Sequence, residues 1–441
     1  MVRLSAIVWK SMCSTLLPSM QSTSMPMSHD GYLKLYQIRK PILDIDYDVI
    51  LLDEAQDTNP AIQDIIMRQQ CAKVIVGDRH QAIYSFIGAE DTLAKVQSTR
   101  TLVLTKSFRF GYRIATVANV LLNSMTTESR VLIGKGRSKG NVDALYVNAS
   151  REWWRWPLEE RSKYFSHTGG SVVTVQSYTI LFRTNATIFQ VACELMQRKE
   201  IFLFIGGVAG YRFQDYIDTS YVLLSKTQLI VNNNFLKRFR TPAQLIRYAQ
   251  LTNNQEINTR LRLIEALGGP ASVVHLCTRL IQVSQRHEDQ YSRLTTQHHK
   301  MNLCILGTVH KAKGLEFNNV IMADDFVDLS DQELKKKVIN QERGFVDEFN
   351  LIYVGVTRAK QSLRCGPILK RFLLSTGMLL GLQYDVSRAV LKTPPRCFIC
   401  ESSDGGRIGA GSCWLRKMSG VLTQYVCAQC TIDYIDVGFA L

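Results

Sequence analysis

The chain has 441 residues, 46% of them hydrophobic and 21% charged, which bounds it to two or three ordinary globular domains. No uninterrupted apolar run approaches the roughly 18 residues of a membrane-spanning helix, so no membrane partner is expected. Lys and Arg outnumber Asp and Glu by 53 to 38, giving a formal charge of +15 and a pI near 9.3, a balance that suits a polyanionic partner because neutralising phosphates releases counterions.

Residues 1–28 contain Arg3 and Lys10, no acid, and many Ser and Met. That composition resembles a transit peptide but reads as a disordered or misassigned start. Tyr47–Leu52 is a short apolar run fit for a buried parallel strand. Thr58-Asn59-Pro60 offers a cap and a proline first turn for a helix carrying Ile62, Ile65 and Ile66. Lys73–Val76 is a second strand ending in Gly77-Asp78, and Thr101–Leu104 a third. Ile114, Val117, Ala118, Leu121 and Leu122 form one helical stripe. Strand and helix in this alternation predict an α/β fold with a parallel sheet. Residues 151–170, rich in Trp, read as an insertion. A second α/β unit is expected over 171–213 and 301–392, interrupted by polar, helical residues 214–300 that read as an inserted helical subdomain. The tail, 394–441, reads as a separate small module.

The chemistry collects at the expected strand ends, where parallel α/β sheets bind ligands. "VILLDEAQD" (49–57) ends a strand in Asp53-Glu54. An Asp there can hold Mg²⁺, and the adjacent carboxylate can deprotonate a water attacking a phosphoryl group. The bland alternative is a helix cap or a solvated turn. "VGDRHQAIYSFIGA" (76–89) places Gln81 after a strand, with Tyr84 and Phe86 available either as core or as stacking platforms for unpaired bases. "LTKSFRFG" (104–111) brings in Phe108 and Arg109. "LGTVHKAKGLEF" (306–317) gathers Thr308, His310, Gly314 and Glu316, and "YVGVTRAK" (353–360) adds Arg358. Guanidinium groups stabilise charge on a transferring phosphoryl, although a lone Arg after a strand is usually a surface ion pair.

Taken together and in this order, these segments resemble the UvrD/Rep-like superfamily one DNA helicases. "LLDEAQD" resembles the Walker B motif, "GDRHQAIYSFIGA" motif III, "SFRFG" motif IV, "LFRTNA" (181–186) the opening of the second motor domain, "TVHKAKGLEF" motif V and "YVGVTRAK" motif VI. Within that family "HDGYLKLYQ" (29–37), "SFRFGYRIA" and "LGTVHKAKGLEF" look most like the F-box DNA helicase branch. The resemblance implies two RecA-like parallel-sheet motor domains, the first partial over residues 29–150. It further implies an ATP-dependent 3′–5′ helicase translocating on single-stranded DNA, in repair and recombination in the nucleus, acting on single-stranded and duplex DNA with ATP and Mg²⁺. By position, Asp53 would hold Mg²⁺ and Glu54 would be the catalytic base. Gln81, Arg109 and Arg358 would contact the γ-phosphate and Phe108 the adenine. Gly314 and Glu316 would lie near the ribose or phosphates, and Tyr84, Phe86, Thr308 and His310 would meet DNA.

The sequence departs from that pattern. No GxxxxGK[ST] string occurs in it, and "GKGRSKGN" (134–141) lacks the required ending. The expectation is an amino-terminally truncated chain, with a non-hydrolysing DNA-binding remnant as the alternative. Ubiquitin-ligase subunits would be partners only if an upstream F-box exists. Ile87 stands where the family usually has Arg, and Lys106 where Gln is common. In the tail, Cys397, Cys400, Cys427 and Cys430 form two CxxC pairs separated by 26 residues, spacing that suits a structural Zn²⁺ in a zinc-ribbon-like module. The long interval could hold a hairpin, and Cys413 inside it could replace one ligand.

Overall fold

The computed structural model describes residues 29–85, 88–89, 92–126, 131–136, 141–144, 177–226, 231–252, 255–294, 303–342, 344–375, 413–416 and 422–426. The chain divides into one unit of Met1–Val103 with Arg343–Asn350, and another of Leu104–Glu342 with Leu351–Leu441.

In the first unit, α1 (His29–Ile38) precedes β1 (Val49–Leu52), α2 (Pro60–Met67) and β2 (Ala72–Ile75). Asn59 caps α2, its side chain accepting the Ile62 N–H at 2.9 Å, and Pro60 occupies the first turn, where its missing N–H costs nothing. Ile65 and Ile66 bury the inner face of α2. The buried Gln69 amide stitches the incoming chain to this helix: it donates to the Ile65 and Pro41 carbonyls at 2.6 and 3.0 Å and accepts from Leu43 N at 2.8 Å. β1 and β2 pair in parallel, Val49 opposite Ala72 and Leu51 opposite Val74. The strand forms where the apolar run predicts it, but it is not buried. Val49, Leu51, Ala72 and Val74 share one face of a two-stranded ribbon, and Leu51 is 75% exposed. Apolarity without alternation anticipates cover on both faces. Among the described residues, nothing covers this one.

The second unit opens with β3 (Lys106–Ser107), α3 (Tyr112–Met125), β4 (Ile133–Gly134) and β5 (Asn141–Ala144). It continues through β6 (Tyr178–Phe182), α4 (Asn185–Gln197), β7 (Phe202–Phe204), α5 (Phe213–Leu223), α6 (Pro242–Thr252), α7 (Gln255–Ala266) and α8 (Pro270–Leu294). It then runs through β8 (Cys304–Thr308), the single turn α9 (Val309–Ala312), β9 (Phe317–Met322) and α10 (Gln332–Ile339). α11 (Phe345–Val356) gives residues up to Asn350 to the first unit and the rest to the second, followed by β10 (Ala359–Cys365) and α12 (Pro367–Ser375). Six strands form one sheet in the order β5-β10-β9-β6-β8-β7, every pairing parallel.

Central strand β6 is buried at every position, as a parallel strand covered on both faces must be. Ile188, Phe189, Val191 and Leu195 of α4 pack with Phe202, Phe204, Cys304 and Leu306 of the sheet in one cluster. Gly307 is required by packing: a Cβ there would lie 2.3 Å from Ile205 Cδ1. Two expected boundaries shift. Residues 104–144, assigned from sequence to the first domain, belong to the second unit, because β5 extends its sheet by pairing with β10. The helices within 214–300 do not all stand apart either. Val273, Cys277 and Leu280 of α8 join the sheet cluster, whereas Val222, Leu236, Leu245, Ala249 and Ile257 form a smaller core of their own. In the tail, β11 (Cys413–Arg416) and β12 (Leu422–Val426) pair antiparallel. No described helix is long and apolar enough to cross a membrane.

Truncating Phe189, fully buried between α4 and the sheet, leaves a cavity. Phe189→Ala is expected to destabilise the second unit by about 3–5 kcal/mol in urea unfolding followed by circular dichroism.

Candidate functional site

In the first unit, β1 runs out at Leu52 and leaves Asp53 and Glu54 exposed at its carboxyl end. Glu54 has φ +50° and ψ +42°, a left-handed conformation that a non-glycine residue rarely adopts and that costs on the order of 1 kcal/mol. This kink turns the chain under the sheet: Ala55 is fully buried and its N–H reaches the Val76 carbonyl at 3.0 Å. Asp53 Oδ1 accepts the Glu54 N–H at 2.9 Å. Gln56 follows on a 3₁₀ turn, Ala55–Asp57, and is 1% exposed. Its Nε2 donates to Glu54 Oε2, and its Oε1 accepts the Asp78 N–H at 3.0 Å.

Asp78 ends the loop after β2 and starts a second 3₁₀ turn, Arg79–Gln81. One of its carboxylate oxygens accepts His80 N at 3.0 Å, and the other accepts Gln81 Nε2 at 2.9 Å. Helix α11 holds this turn from the other side, with Asn350 Nδ2 donating to the Ala82 carbonyl at 2.7 Å and Ser85 Oγ donating to Asp347. Burial, then the negative charges of Asp57 and Glu54, push the Tyr84 phenol above its ordinary value of 10. The sequence reading assigned Tyr84 to DNA; its half-buried side chain stands in the field of these carboxylates. Phe86 lies outside the described residues.

In the second unit, Glu316, Arg358 and Lys360 sit at the amino ends of β9 and β10, while Thr308 and His310 sit at the carboxyl end of β8. The expectation that the motifs gather at carboxyl ends therefore fails for the first group, because the link from β8 to β9 runs back along the sheet before Glu316. Arg109 Nε donates to Glu316 Oε2 at 3.1 Å, and its Nη1 to the Thr357 carbonyl at 3.1 Å. Lys360 Nζ takes the other oxygen of Glu316 at 2.9 Å. Beside them Phe108 is 79% exposed, an aromatic face turned to solvent.

Arg358 is 2% exposed. Its Nε donates to the Val354 carbonyl at 3.1 Å, Nη1 to the Leu315 carbonyl at 3.3 Å, and Nη2 to Thr357 Oγ1 at 3.3 Å. Gly314, at φ +80°, makes the turn before these contacts in a conformation that favours glycine. Thr308 is buried, and its hydroxyl caps α9 by accepting the Lys311 N–H at 3.4 Å; His310 is half-buried. Cys397, Cys400, Cys427 and Cys430 lie outside the described residues. No cluster of three or more His, Cys, Asp or Glu suited to a metal occurs among the described residues.

The sequence places Asp53, Glu54, Gln81, Arg109 and Arg358 around one triphosphate; within the first unit the structure links Glu54 to Gln81 through Gln56 and Asp78, and within the second it joins Arg109 to Glu316. Sequence reasoning gave no role to Gln56, Asp78, Asn350 or Lys360. Lys360 was legible in principle, being two residues beyond Arg358. Gln56 was not, because only the fold shows its amide to be buried.

The hydrogen bond from Lys360, then that from Arg109, hold the Glu316 carboxyl below its ordinary value of 4.5. A depressed carboxyl contributes stability that is present above its unfolded-state value and lost as pH falls through the folded one. Wild type and Glu316→Gln are therefore expected to differ in urea midpoint at neutral pH and to converge as the pH is taken well below 4.5. Because the pair is partly exposed, 1 M salt should shrink the neutral-pH difference.

Comparison with known proteins matches residues 38–99 to the UvrD/REP helicase N-terminal domain and residues 277–365 to the UvrD-like helicase C-terminal domain. F-box DNA helicase 1 of Gallus gallus is 33% identical over 384 residues, covering 83% of this chain and 33% of that protein. F-box DNA helicase protein 1 of Schizosaccharomyces pombe is 30% identical over 383 residues, covering 83% and 39%. A probable DNA helicase II homolog of Mycoplasma pneumoniae is 24% identical over 404 residues, covering 76% and 55%. The chain thus spans about a third of the length of the F-box helicases it resembles. Both constellations fall in or beside the matched regions, and the chain belongs to the UvrD/Rep-like DNA helicase family.

Proposed function

We propose that this chain takes part in ATP-dependent translocation on single-stranded DNA with 3′–5′ polarity, in DNA repair and recombination in the nucleus. The observation that carries the nucleotide half of this reading is the pair of exposed carboxylates, Asp53 and Glu54, at the carboxyl end of a parallel strand in the region matched by the UvrD/REP N-terminal domain. Oxygen donors on adjacent residues suit a hard cation, which needs only one or two carboxylates when phosphates supply the rest. Asp53 would hold Mg²⁺, which when bound neutralises phosphate charge. Glu54 accepts the proton of the attacking water at its carboxylate. Gln81 orients the terminal phosphate or that water through its side-chain amide.

Arg109 would supply a guanidinium able to neutralise charge on a transferred phosphoryl. Arg358 would join it only by exchanging its bonds to the Val354 and Leu315 carbonyls for phosphate oxygens. Phe108 offers its exposed ring to the adenine, with Gly314 and Glu316 near the ribose or phosphates. Tyr84, Phe86, Thr308 and His310 are proposed to meet DNA, supported by the net charge of +15. The hairpin β11–β12 lies between the two CxxC pairs, which supports a structural Zn²⁺ held by Cys397, Cys400, Cys427 and Cys430.

With the chain expressed in full, Glu54→Gln is expected to lower DNA-stimulated ATP hydrolysis about 100-fold or more while a fluorescent ATP analogue still binds. Unchanged turnover would remove Glu54 from the base role. A wild-type chain that hydrolyses no ATP yet binds single strands with steep salt dependence would point instead to a non-hydrolysing DNA-binding protein. Native mass spectrometry is expected to find one zinc per chain, lost in Cys397→Ser; a metal-free wild type would discard the zinc reading.

A further inference from the structure

Glu54 and Gln81 lie on separate turns, yet the structure joins them by an unbroken line of hydrogen bonds. Glu54 Oε2 accepts from Gln56 Nε2, Gln56 Oε1 accepts from Asp78 N, and Asp78 Oδ2 accepts from Gln81 Nε2. Each link has a physical reason to stay made. Gln56 is 1% exposed, and a buried amide that loses a partner is left with an uncompensated desolvation penalty. Asp78 is anchored independently by His80 N. Gly77 supplies the room, since a Cβ there would fall 2.4 Å from Gln56 Oε1. Asn350 fixes the far end of the second turn through the Ala82 carbonyl.

We propose that Gln56 and Asp78 are positioning residues: together they set the Glu54 carboxylate and the Gln81 amide relative to one another, so that the two turns respond to a bound nucleotide as one body. This rests on the nucleotide reading above for its chemical purpose, but the relay itself is a property of the nucleotide-free chain. An amide suits the central place because it donates at one end and accepts at the other. A glutamate in its stead would face Glu54 with a second negative charge while keeping the same volume. When Gln81 turns toward a phosphate it gives up Asp78 Oδ2, which alters the acceptor behind the Asp78 backbone and, through Gln56, the hold on Glu54.

The test has two arms. In the nucleotide-free chain carrying ¹⁵N-glutamine, the Gln81 side-chain amide signals, identified by their loss in Gln81→Ala, are expected to shift in both Gln56→Glu and Gly77→Ala. Gln81 signals unmoved in both folded variants would overturn the relay. In the hydrolysis arm, the same variants are expected to lower kcat about 10- to 100-fold with KM for ATP within about twofold, as misplacement of a catalytic group does. Gln56→Glu combined with Gln81→Ala should lose less than the product of the single losses, as coupled groups do. Strict multiplication of the two losses, or an altered KM with intact kcat, would also reject the proposal. If the wild type hydrolyses no ATP, the nucleotide reading fails, and the amide signals alone decide whether the relay exists.

Discussion

A buried amide must satisfy both of its ends, and in the first unit that requirement falls on Gln56. Its position under the kink at Glu54 gives its N–H to a carboxylate and its carbonyl to the backbone of another strand's exit loop. Much of the local sequence follows from this one constraint. Glu54 adopts a left-handed backbone so that the chain dives and Gln56 is covered. Residue 77 has no side chain because the amide oxygen occupies that space. Asp78 faces inward as a cap instead of dissolving into solvent. The exposed carboxylates are thus the visible tip of an arrangement whose rigidity is set one layer below.

The second unit solves a different electrostatic problem. Arg109, Glu316 and Lys360 form a partly exposed set of charges, each contact weak on its own and open to competition by water, salt or a ligand anion. Arg358, only one residue from the Thr357 carbonyl that Arg109 uses, is buried and spends its donors on carbonyls of Val354 and Leu315. Two arginines that look alike in sequence therefore differ in how readily they can change partners. The partly exposed one is exchangeable. The buried one fastens the end of α11 to the chain entering β9, and so fixes where Glu316 stands.

How much of this was legible in the residues depended on the range of the interaction. Some local signals were readable: Asn59-Pro60 announces the start of α2, and the apolar runs at 47–52 and 172–183 announce strands, whereas Thr101–Leu104, expected as a strand, forms none and the pairing begins at Lys106–Ser107. The acidic pair at 53–54 and the charged loop at 306–317 were visible as chemistry for the same reason. Partnerships between distant segments were not. Nothing in residues 141–144 says that they pair beside 362–365, so the unit boundary moved. The path of the link between β8 and β9 was equally hidden, so Glu316 was grouped in one loop with Thr308 and His310 although it stands at the amino end of β9. Gln56 looked like one more polar residue in an acidic turn, because burial is set by what folds over it.

The ribbon of β1 and β2 has a consequence for handling the protein. Val49, Leu51 and Val74 present a greasy stripe to water, flanked by Val76. A flat apolar strip next to strand edges is adhesive, and it attracts whatever extended chain comes near, including other molecules of the same kind. Such a strip favours self-association as concentration rises, so a dilution series separates association from the behaviour of the single chain.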